Sequence, residues 1–377
     1  MITENPKIKL YEADSSALNR GSGGQIPIFI SPTMNDSPVQ GIVTYNNYTD
    51  AAKLTSAGGI GTDESNILLP ILKDFFEESL KVNNEDIGVP NVHVKDLGTS
   101  VPGTATPWIN AIEEIKIKDD VQVEAYIFQK PSDANTEAVT ALTKSIIGIM
   151  TSVAESLTTE AGKGKLRIAY FTILGFTEDE LKELTKTANE SKIQESRVYL
   201  MAPENFGKRL ARICTTPYYD EPGYYAYRSV KPGTFTERTD VAEESLREAG
   251  IVFDHDEKTN SAIYPKINLC IATSYAKGDS RPLDSLLHVR RNVDQLVREA
   301  VDIVYAQLKR RETSGYLSDT QANLDLLVHN KVDAGYMKKD TSITVVEDDN
   351  APEKLTLITH AYPVNITGLI EMTTYIH

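Results

Sequence analysis

Strand-like and helical patterns alternate along the first two-thirds of this chain, and this alternation restricts its fold more than any other feature. Short apolar runs bounded by turn residues indicate buried strands, whereas apolar residues that recur every three or four positions indicate amphipathic helices. A chain of this kind packs its helices on the faces of a mostly parallel sheet. The sequence therefore predicts an α/β fold, with strands at 26–30, 41–45, 121–128, 167–174 and 197–202 and helices at 62–80, 134–157 and 177–190.

Capping residues indicate where two of these helices begin. Thr62 and Asp63 have side chains that accept hydrogen bonds at helix amino ends, so we expect them to cap the first long helix. The run Thr177-Glu178-Asp179-Glu180 has the pattern of a capping box, in which the first and last side chains each satisfy a backbone N–H of the other. This pattern predicts a helix that ends near Glu190.

The last third of the chain contains a positively charged segment, unlike the rest of this acidic chain. Residues 281–311 carry seven Lys or Arg against four Asp or Glu, in a chain whose formal net charge is −15. An amphipathic helix with this net positive charge implies an acidic partner. The other predicted elements of this part are a strand region at 263–275 and two late strands at 341–347 and 355–359.

Both ends of the chain alternate apolar and polar residues as half-buried strands do. At the amino end Ile8 and Leu10 precede a Gly-rich linker at 19–24, and at the carboxyl end the strand pattern covers 370–376. Each terminal strand either pairs with a sheet of its own chain or extends the sheet of another subunit.

Length, charge and cysteine content limit the classes of protein to consider. A chain of 377 residues with 40% apolar residues predicts two or three globular domains. The net charge of −15 argues against a general nucleic-acid or acidic-membrane binder. Cys214 and Cys270 have no CxxC or CxxH spacing, which favours neither a zinc site nor a disulfide framework. With no apolar signal region and no membrane-length apolar run, we expect synthesis in the cytoplasm and no membrane insertion.

Neither glycine cluster has the spacing of a known phosphate loop. Residues 162–165 lack the spaced leading glycine and the hydroxyl residue of a P-loop, so a solvated turn is predicted. Residues 58–62 precede a helix and can in principle cradle a phosphate, although the full G-x-G-x-x-G spacing is missing. A cytoplasmic α/β enzyme that binds a phosphorylated ligand at 58–62, with 251–377 as an oligomerisation domain, is therefore an alternative hypothesis.

Metal-binding and catalytic patterns are weak throughout. Asp254-His255-Asp256-Glu257 carries metal-capable side chains, but neighbours in one loop cannot all face one ion, and a solvated acidic turn is predicted. The six histidines are scattered, and His288 is predicted to be a surface or interface residue. Residues 218–225, rich in tyrosine, are predicted to form packing contacts. The sequence thus predicts no catalytic centre, no cofactor and no metal.

Four stretches, in their order and spacing, resemble the contractile-tail sheath proteins, which surround the tail tube of contractile phages and related injection devices. They are an opening strand and helix from Gln25 to Phe75-Phe76, Trp108 with Asn110-Ala111-Ile112, a carboxyl-terminal domain with 263–267 and the arginine-rich helix 289–298, and a closing hairpin and arm at 362–376. No large insertion stands between about 100 and 250, so the resemblance implies a minimal sheath subunit. It also implies that terminal strands extend a neighbour's sheet.

The resemblance implies a division of the chain into four parts. They are an amino-terminal arm and linker at 1–24, an outer α/β domain at 25–255, an inner, tube-proximal domain at 256–365 and a carboxyl-terminal arm at 366–377. The residues expected in the inter-subunit arm strands are Ile8, Leu10, Ile370, Met372, Thr374 and Ile376.

By the same resemblance, the expected function is structural. Subunits would form hexameric rings stacked helically around a tail tube, with baseplate and terminator proteins as further partners, and would contract to drive the tube through a target envelope. The assembled form would be an extracellular tail made in a host cytoplasm. A tail-tube or other shell protein is the remaining alternative. The candidates for tube contact are Lys309, Arg310, Arg311, Arg290, Arg291 and Arg298, of which the last three can equally pair with Asp294 or Asp302.

Overall fold

The computed structural model describes residues 24–82, 91–99, 105–161, 164–191, 197–230, 237–257, 262–266, 287–308, 315–348 and 351–364. The predicted arm strands at both ends, with Ile8, Leu10, Ile370, Met372, Thr374 and Ile376, lie outside these ranges. The chain divides into two compact units, Met1–Arg290 and Arg291–His377.

The first unit is built on one sheet. Its strands are β1 (Pro27–Ser31), β2 (Ile42–Tyr45), β3 (Val92–Asp96), β4 (Val123–Gln129), β5 (Ile168–Leu174), β6 (Val198–Met201), β7 (Ile251–Glu257) and β8 (Ala262–Lys266). They lie in the order β2-β3-β1-β4-β5-β6-β7-β8. The six inner strands, β3, β1, β4, β5, β6 and β7, run parallel to one another. The edge strands β2 and β8 are antiparallel to their neighbours. The predicted α/β class is confirmed.

Helices connect the parallel strands. They are α1 (Tyr48–Ala51), α2 (Leu68–Val82), α3 (Ala105–Lys116), α4 (Thr136–Ala161), α5 (Glu178–Glu190), α6 (Phe206–Thr215) and α7 (Asp240–Glu248). Among the helices of the described ranges, none combines the length and the apolar character that a membrane crossing needs.

One predicted cap is confirmed and the other is wrong. Thr177 and Glu180 form the complete capping box at the start of α5. The helix α2, however, begins at Leu68, where the side chain of Asn66 accepts the backbone N–H of Leu68 at 3.0 Å. The carboxylate of Asp63 instead accepts the N–H of Ser65 at 2.8 Å, in the turn before the helix.

Aromatic residues fill the centre of the first unit. Trp108 on α3 is fully buried, and its ring centroid lies 4.4 Å from that of Phe128 on β4. The rings of Tyr126 and Phe171, on neighbouring strands, are stacked at 4.9 Å. Contacts of this kind are worth more than the burial of their area alone. The sheet and its helices therefore share one continuous core.

The second unit contains two helices and a hairpin. Helix α8 (Leu287–Leu308) enters it, followed by α9 (Tyr316–Asp333), β9 (Ser342–Asp348) and β10 (Ala351–His360). Strands β9 and β10 pair antiparallel, and α9 packs against β9. The hairpin continues beyond its strands, because Met337 forms a β-bridge with Pro363.

The structure contains elements that the sequence patterns did not indicate. They include strands β3 and β7 and helices α3, α6, α7 and α9, and β7 covers the predicted solvated acidic turn at 254–257. That prediction is wrong, because Asp254 is a buried residue of the sheet. The division after Arg290 also falls later than the expected boundary after residue 255, since β7 and β8 extend the large sheet.

Candidate functional site

The backbone N–H groups of the glycine loop at 58–61 are already hydrogen-bonded within the chain. The amides of Gly58, Gly59, Ile60 and Gly61 donate to backbone carbonyls at 2.9–3.1 Å within the same turn. A side chain at Gly59 would meet the carbonyl oxygen of Lys53 at 2.2 Å, so the turn is tightly closed. A phosphate cradle needs N–H groups that point at the ligand. Four of the five N–H groups of 58–62 are therefore already bound within the chain, which argues against the phosphate loop on which the enzyme hypothesis rested.

Asp254 is the centre of a buried ion-pair network. Its Oδ1 accepts from Nη2 of Arg209 at 2.8 Å and from the hydroxyl of Tyr227 at 2.7 Å, and its Oδ2 accepts from the side-chain amide of Asn205 at 2.8 Å. Its neighbour His255 pairs instead with Glu243, through Nδ1 at 2.8 Å. Over the described ranges of the chain, no group of three or more His, Cys, Asp or Glu is arranged to hold a metal ion.

A hydrogen-bond chain that the sequence did not indicate joins Thr44, His93 and Asp120. Thr44 Oγ1 lies 2.8 Å from His93 Nδ1, and His93 Nε2 lies 2.7 Å from Asp120 Oδ2. The hydrogen bond from His93 lowers the pKa of Asp120. Hydroxyl, imidazole and carboxylate in this order resemble a catalytic triad. Thr44, however, lies directly opposite His93 in the β2–β3 register. We therefore interpret these hydrogen bonds as a cross-strand contact that holds β2 on the sheet.

The start of α8 is more deeply buried than predicted. The sequence predicts that His288 is a surface or interface residue. It is buried and lies 3.1 Å from a carboxylate oxygen of Glu221, so the surface alternative is wrong. Arg291 has no exposed surface either. A guanidinium without exposed surface cannot contact a tube, so Arg291 leaves the set of tube-facing candidates. Arg290 and Arg298 are partly exposed, and the remaining candidates, Lys309, Arg310 and Arg311, lie outside the described residues.

Asp302→Asn is expected to stabilise the protein by about 1 kcal/mol at pH 7.5 and to change little at pH 4, after allowance for partial exposure of the carboxyl. Burial, with the nearby carboxylate of Glu299, raises the pKa of Asp302 from 3.8 to about 6, although Arg298 opposes the shift. Because the pKa is higher in the folded state, this contribution to stability is present below pH 3.8 and is lost as the pH rises through 6.

Urea denaturation at the two pH values measures the effect of Asp302→Asn. Asp340→Asn, at an exposed position of the same unit, is the matched control and should change stability little at either pH. Equal stabilisation by Asp302→Asn at pH 4 and pH 7.5 would contradict the assignment of a raised pKa.

The β9–β10 hairpin has two different edges. On the β9 side, Gln321 of α9 donates from Nε2 to the carbonyl of Ile343 at 2.8 Å and accepts the N–H of Val345 at 3.1 Å. Its amide thus takes the place of a neighbouring strand. In the antiparallel register, Thr359 and Leu357 lie opposite these two residues, so their backbone groups also point away from the hairpin. Within the described ranges, β10 has β9 as its one partner strand.

One face of the hairpin is exposed and partly apolar. Over 341–347 and 355–364, buried or half-buried side chains alternate with exposed ones, as in a sheet covered on one side. The large apolar side chains on the exposed face are Val346, Ile358, Tyr362 and Val364. Among its described residues, the second unit therefore combines an open strand edge with an exposed apolar face, a surface typical of an interaction site.

Solved structures similar to this chain include a prophage baseplate and a sheath tail protein. The anti-feeding prophage (AFP) baseplate, 6-fold symmetrised, contains a chain that matches with a TM-score of 0.59 and 10% identity, over 93% of each chain. The sheath tail protein Lin1278 from Listeria innocua matches with a TM-score of 0.59 and 12% identity, over 97% of each chain. The expected sheath-like fold is thereby confirmed as a fold. No family model and no curated protein matches the sequence.

Proposed function

We propose that this chain is a structural subunit of a contractile tail sheath. The observation that carries the proposal is the likeness of fold to a sheath tail protein over 97% of both chains, with no large part of either left over. The closed glycine loop at 58–61 supports a structural role over the binding of a phosphorylated ligand. In this role the subunits form stacked rings around a tail tube and contract, in a tail with a baseplate.

We place the joint between subunits at the outer edge of β10. A terminal strand of one copy pairs there with the outward backbone groups of Leu357 and Thr359 of another copy. Strand addition gains main-chain hydrogen bonds, and the Gly-rich linker at 19–24 lets the joined bodies move without separating. Such head-to-tail joints generate rings or helical polymers. Tube contact by Arg290 and Arg298 remains a proposal within this function.

Thr359→Pro is expected to abolish assembly of the full-length protein while leaving its fold intact. The N–H that proline removes points away from β9, so the hairpin ladder keeps its hydrogen bonds, whereas an incoming strand loses one donor and meets the proline ring. Electron microscopy and sedimentation of the purified chain measure assembly. Thr359→Val is the matched control, because it keeps the N–H and favours the strand conformation.

Wild type and Thr359→Val should form wide helical cylinders. Deletion of 1–20 or of 366–377 should abolish the cylinders, as Thr359→Pro is expected to. Normal cylinders from the proline variant, with an unchanged melting temperature, would contradict the β10 joint. If wild type formed small discrete oligomers, the enzyme hypothesis would gain, and narrow tubes would favour a tube protein.

A further inference from the structure

A groove of about 550 Å³ opens at one end of the large sheet. It is lined by Gln129 and Leu174, the last residues of β4 and β5, and by Pro203 just after β6. Met34, shortly after β1, completes this side. From β1 the chain passes to β2 and β3 on one side of β1 in the sheet, and from β3 it returns past β1 to β4 on the other side. The groove therefore lies at the carboxyl ends of parallel strands beside a switch point, where α/β sheets form their crevices.

The backbone of the groove is strained in two places. Met34 and Asn205 have φ of 59° and 52°, and they are the two residues other than glycine with positive φ in the described part of the chain. Both line the groove. This conformation costs about 1–2 kcal/mol for a residue such as methionine, and strain of this size concentrates at functional sites. Hydrogen bonds hold both residues in place, from Met34 N to Gly98 O at 2.9 Å and from the Asn205 amide to Asp254.

The lining chemistry favours an apolar group next to a cation. Ile67, Leu174 and the buried Phe206 supply apolar surface. Glu64 and Asp74 supply carboxylates, of which Asp74 pairs with Lys208 at 3.2 Å. The exposed Glu64 has no ion-pair partner among the residues that the structure describes, so it can accept a cation from outside.

The opposite end of the same sheet presents such a group. Ile117 is 78% exposed, in the connection from α3 to the amino end of β4, and it stands between Lys116 and Lys118. The carbonyl of Lys118 accepts a hydrogen bond from Arg167, just before β5, which fixes this connection at the amino edge of the sheet. Val241 is similarly exposed, at 80%, but its neighbours Asp240 and Glu243 would be repelled by an acidic groove.

We infer that Ile117 of one copy of this chain inserts into the groove of the next copy, with Lys118 next to Glu64. The inference rests on the proposed function, because it needs a polymer. Since the two surfaces lie at opposite ends of one sheet, the contact is heterologous and joins copies head to tail. One such contact buries little area, so it is weak between free monomers and effective only when other joints already hold the copies together.

Cross-linking of mixed cysteine variants tests the contact directly. One full-length chain carries Ile117→Cys and a second carries Ile67→Cys, both with Cys270→Ser, and the two are assembled together under mild oxidation. We expect a disulfide-linked dimer of the two chains from mixed cylinders, and none from either variant alone. Cylinders of normal appearance without this cross-link would overturn the inference.

A second measurement examines the energetic role. Ile117→Asp should raise the concentration needed for assembly about tenfold, since an apolar anchor is lost and a like charge is added. Its melting temperature should stay unchanged because the side chain is exposed. Val241→Asp is the matched control and should assemble normally. Glu64→Lys and Lys118→Glu should each impair assembly, and their combination should restore it.

The outcomes separate this inference from the proposed function. If wild type formed no cylinders, the proposed function would fail first. If wild type formed cylinders and Thr359→Pro abolished them, while Ile117→Asp assembled like wild type or no worse than Val241→Asp, the groove contact alone would be wrong.

Discussion

Arg209→Met is expected to lower the free energy of unfolding by about 3–5 kcal/mol, the usual effect of breaking a buried ion pair. Arg209 has no exposed surface and donates from Nε and Nη2 to one carboxylate oxygen of Asp254, at 3.1 and 2.8 Å. It also donates to the carbonyls of Ala202 and Glu204, each at 2.9 Å. Methionine fills similar space but leaves the Asp254 carboxylate buried without its counter-charge, and urea denaturation measures the loss.

Two further variants decide whether the buried charge causes this effect. Arg247→Met removes an exposed guanidinium that pairs with Glu244 within one helical turn, and it should change stability by less than about 1 kcal/mol. The double variant Arg209→Met with Asp254→Leu should recover much of the loss, because it removes both charges together. A loss from Arg209→Met no larger than that from Arg247→Met would refute the role of the network.

Gly207→Ala is expected to destabilise the protein by about 1–3 kcal/mol, as overpacking in a filled core does. Gly207 is the second residue of α6, where this helix crosses α2. A Cβ there would lie 2.2 Å from the carbonyl oxygen of Ile71, which is far inside van der Waals contact and involves backbone that cannot turn aside. The two helices must separate to admit the methyl group, and thermal denaturation measures the result.

Gly148→Ala is the matched control for this substitution. Gly148 also lies in a helix, α4, but a Cβ there would meet nothing within 4 Å. The alanine should therefore stabilise the protein by about 0.5–1 kcal/mol through its better helix propensity. If both alanines changed stability in the same direction, the close approach of α2 and α6 would not be what Gly207 provides.

The sequence predicted the elements whose signals are local. The capping box at Thr177 and the apolar periodicity of α2 each depend on residues within a few positions, and the structure confirms the helices they predict. Strand β7 was missed because Asp254 looks solvated in its own segment. Its counter-charge, Arg209, stands 45 residues earlier, and only the folded chain brings the two together. The cap of α2 was wrong because three side chains able to cap, Thr62, Asp63 and Asn66, stand close together and the fold uses the last.

The candidate site was predictable to a smaller degree. The alternating pattern of 355–359 predicted a strand there, but nothing local indicates which edge of a hairpin stays open. That depends on Gln321, whose amide reaches β9 from a helix that the sequence patterns did not predict. The groove residues Met34 and Asn205 were missed for the same reason, since a positive φ in these residues reflects contacts made across the fold.

The side-chain amide of Gln321 also determines how many connections the hairpin can make. A bare two-stranded hairpin is divalent, because it offers a row of backbone donors and acceptors on each side and can be bridged into lateral bundles. With its amide on Ile343 and Val345, Gln321 uses donor and acceptor capacity of the β9 side within the same molecule. If copies join at β10 as proposed, Gln321 leaves fewer free backbone groups on the β9 side. Growth through the hairpin is then expected to be linear, with less side-to-side aggregation.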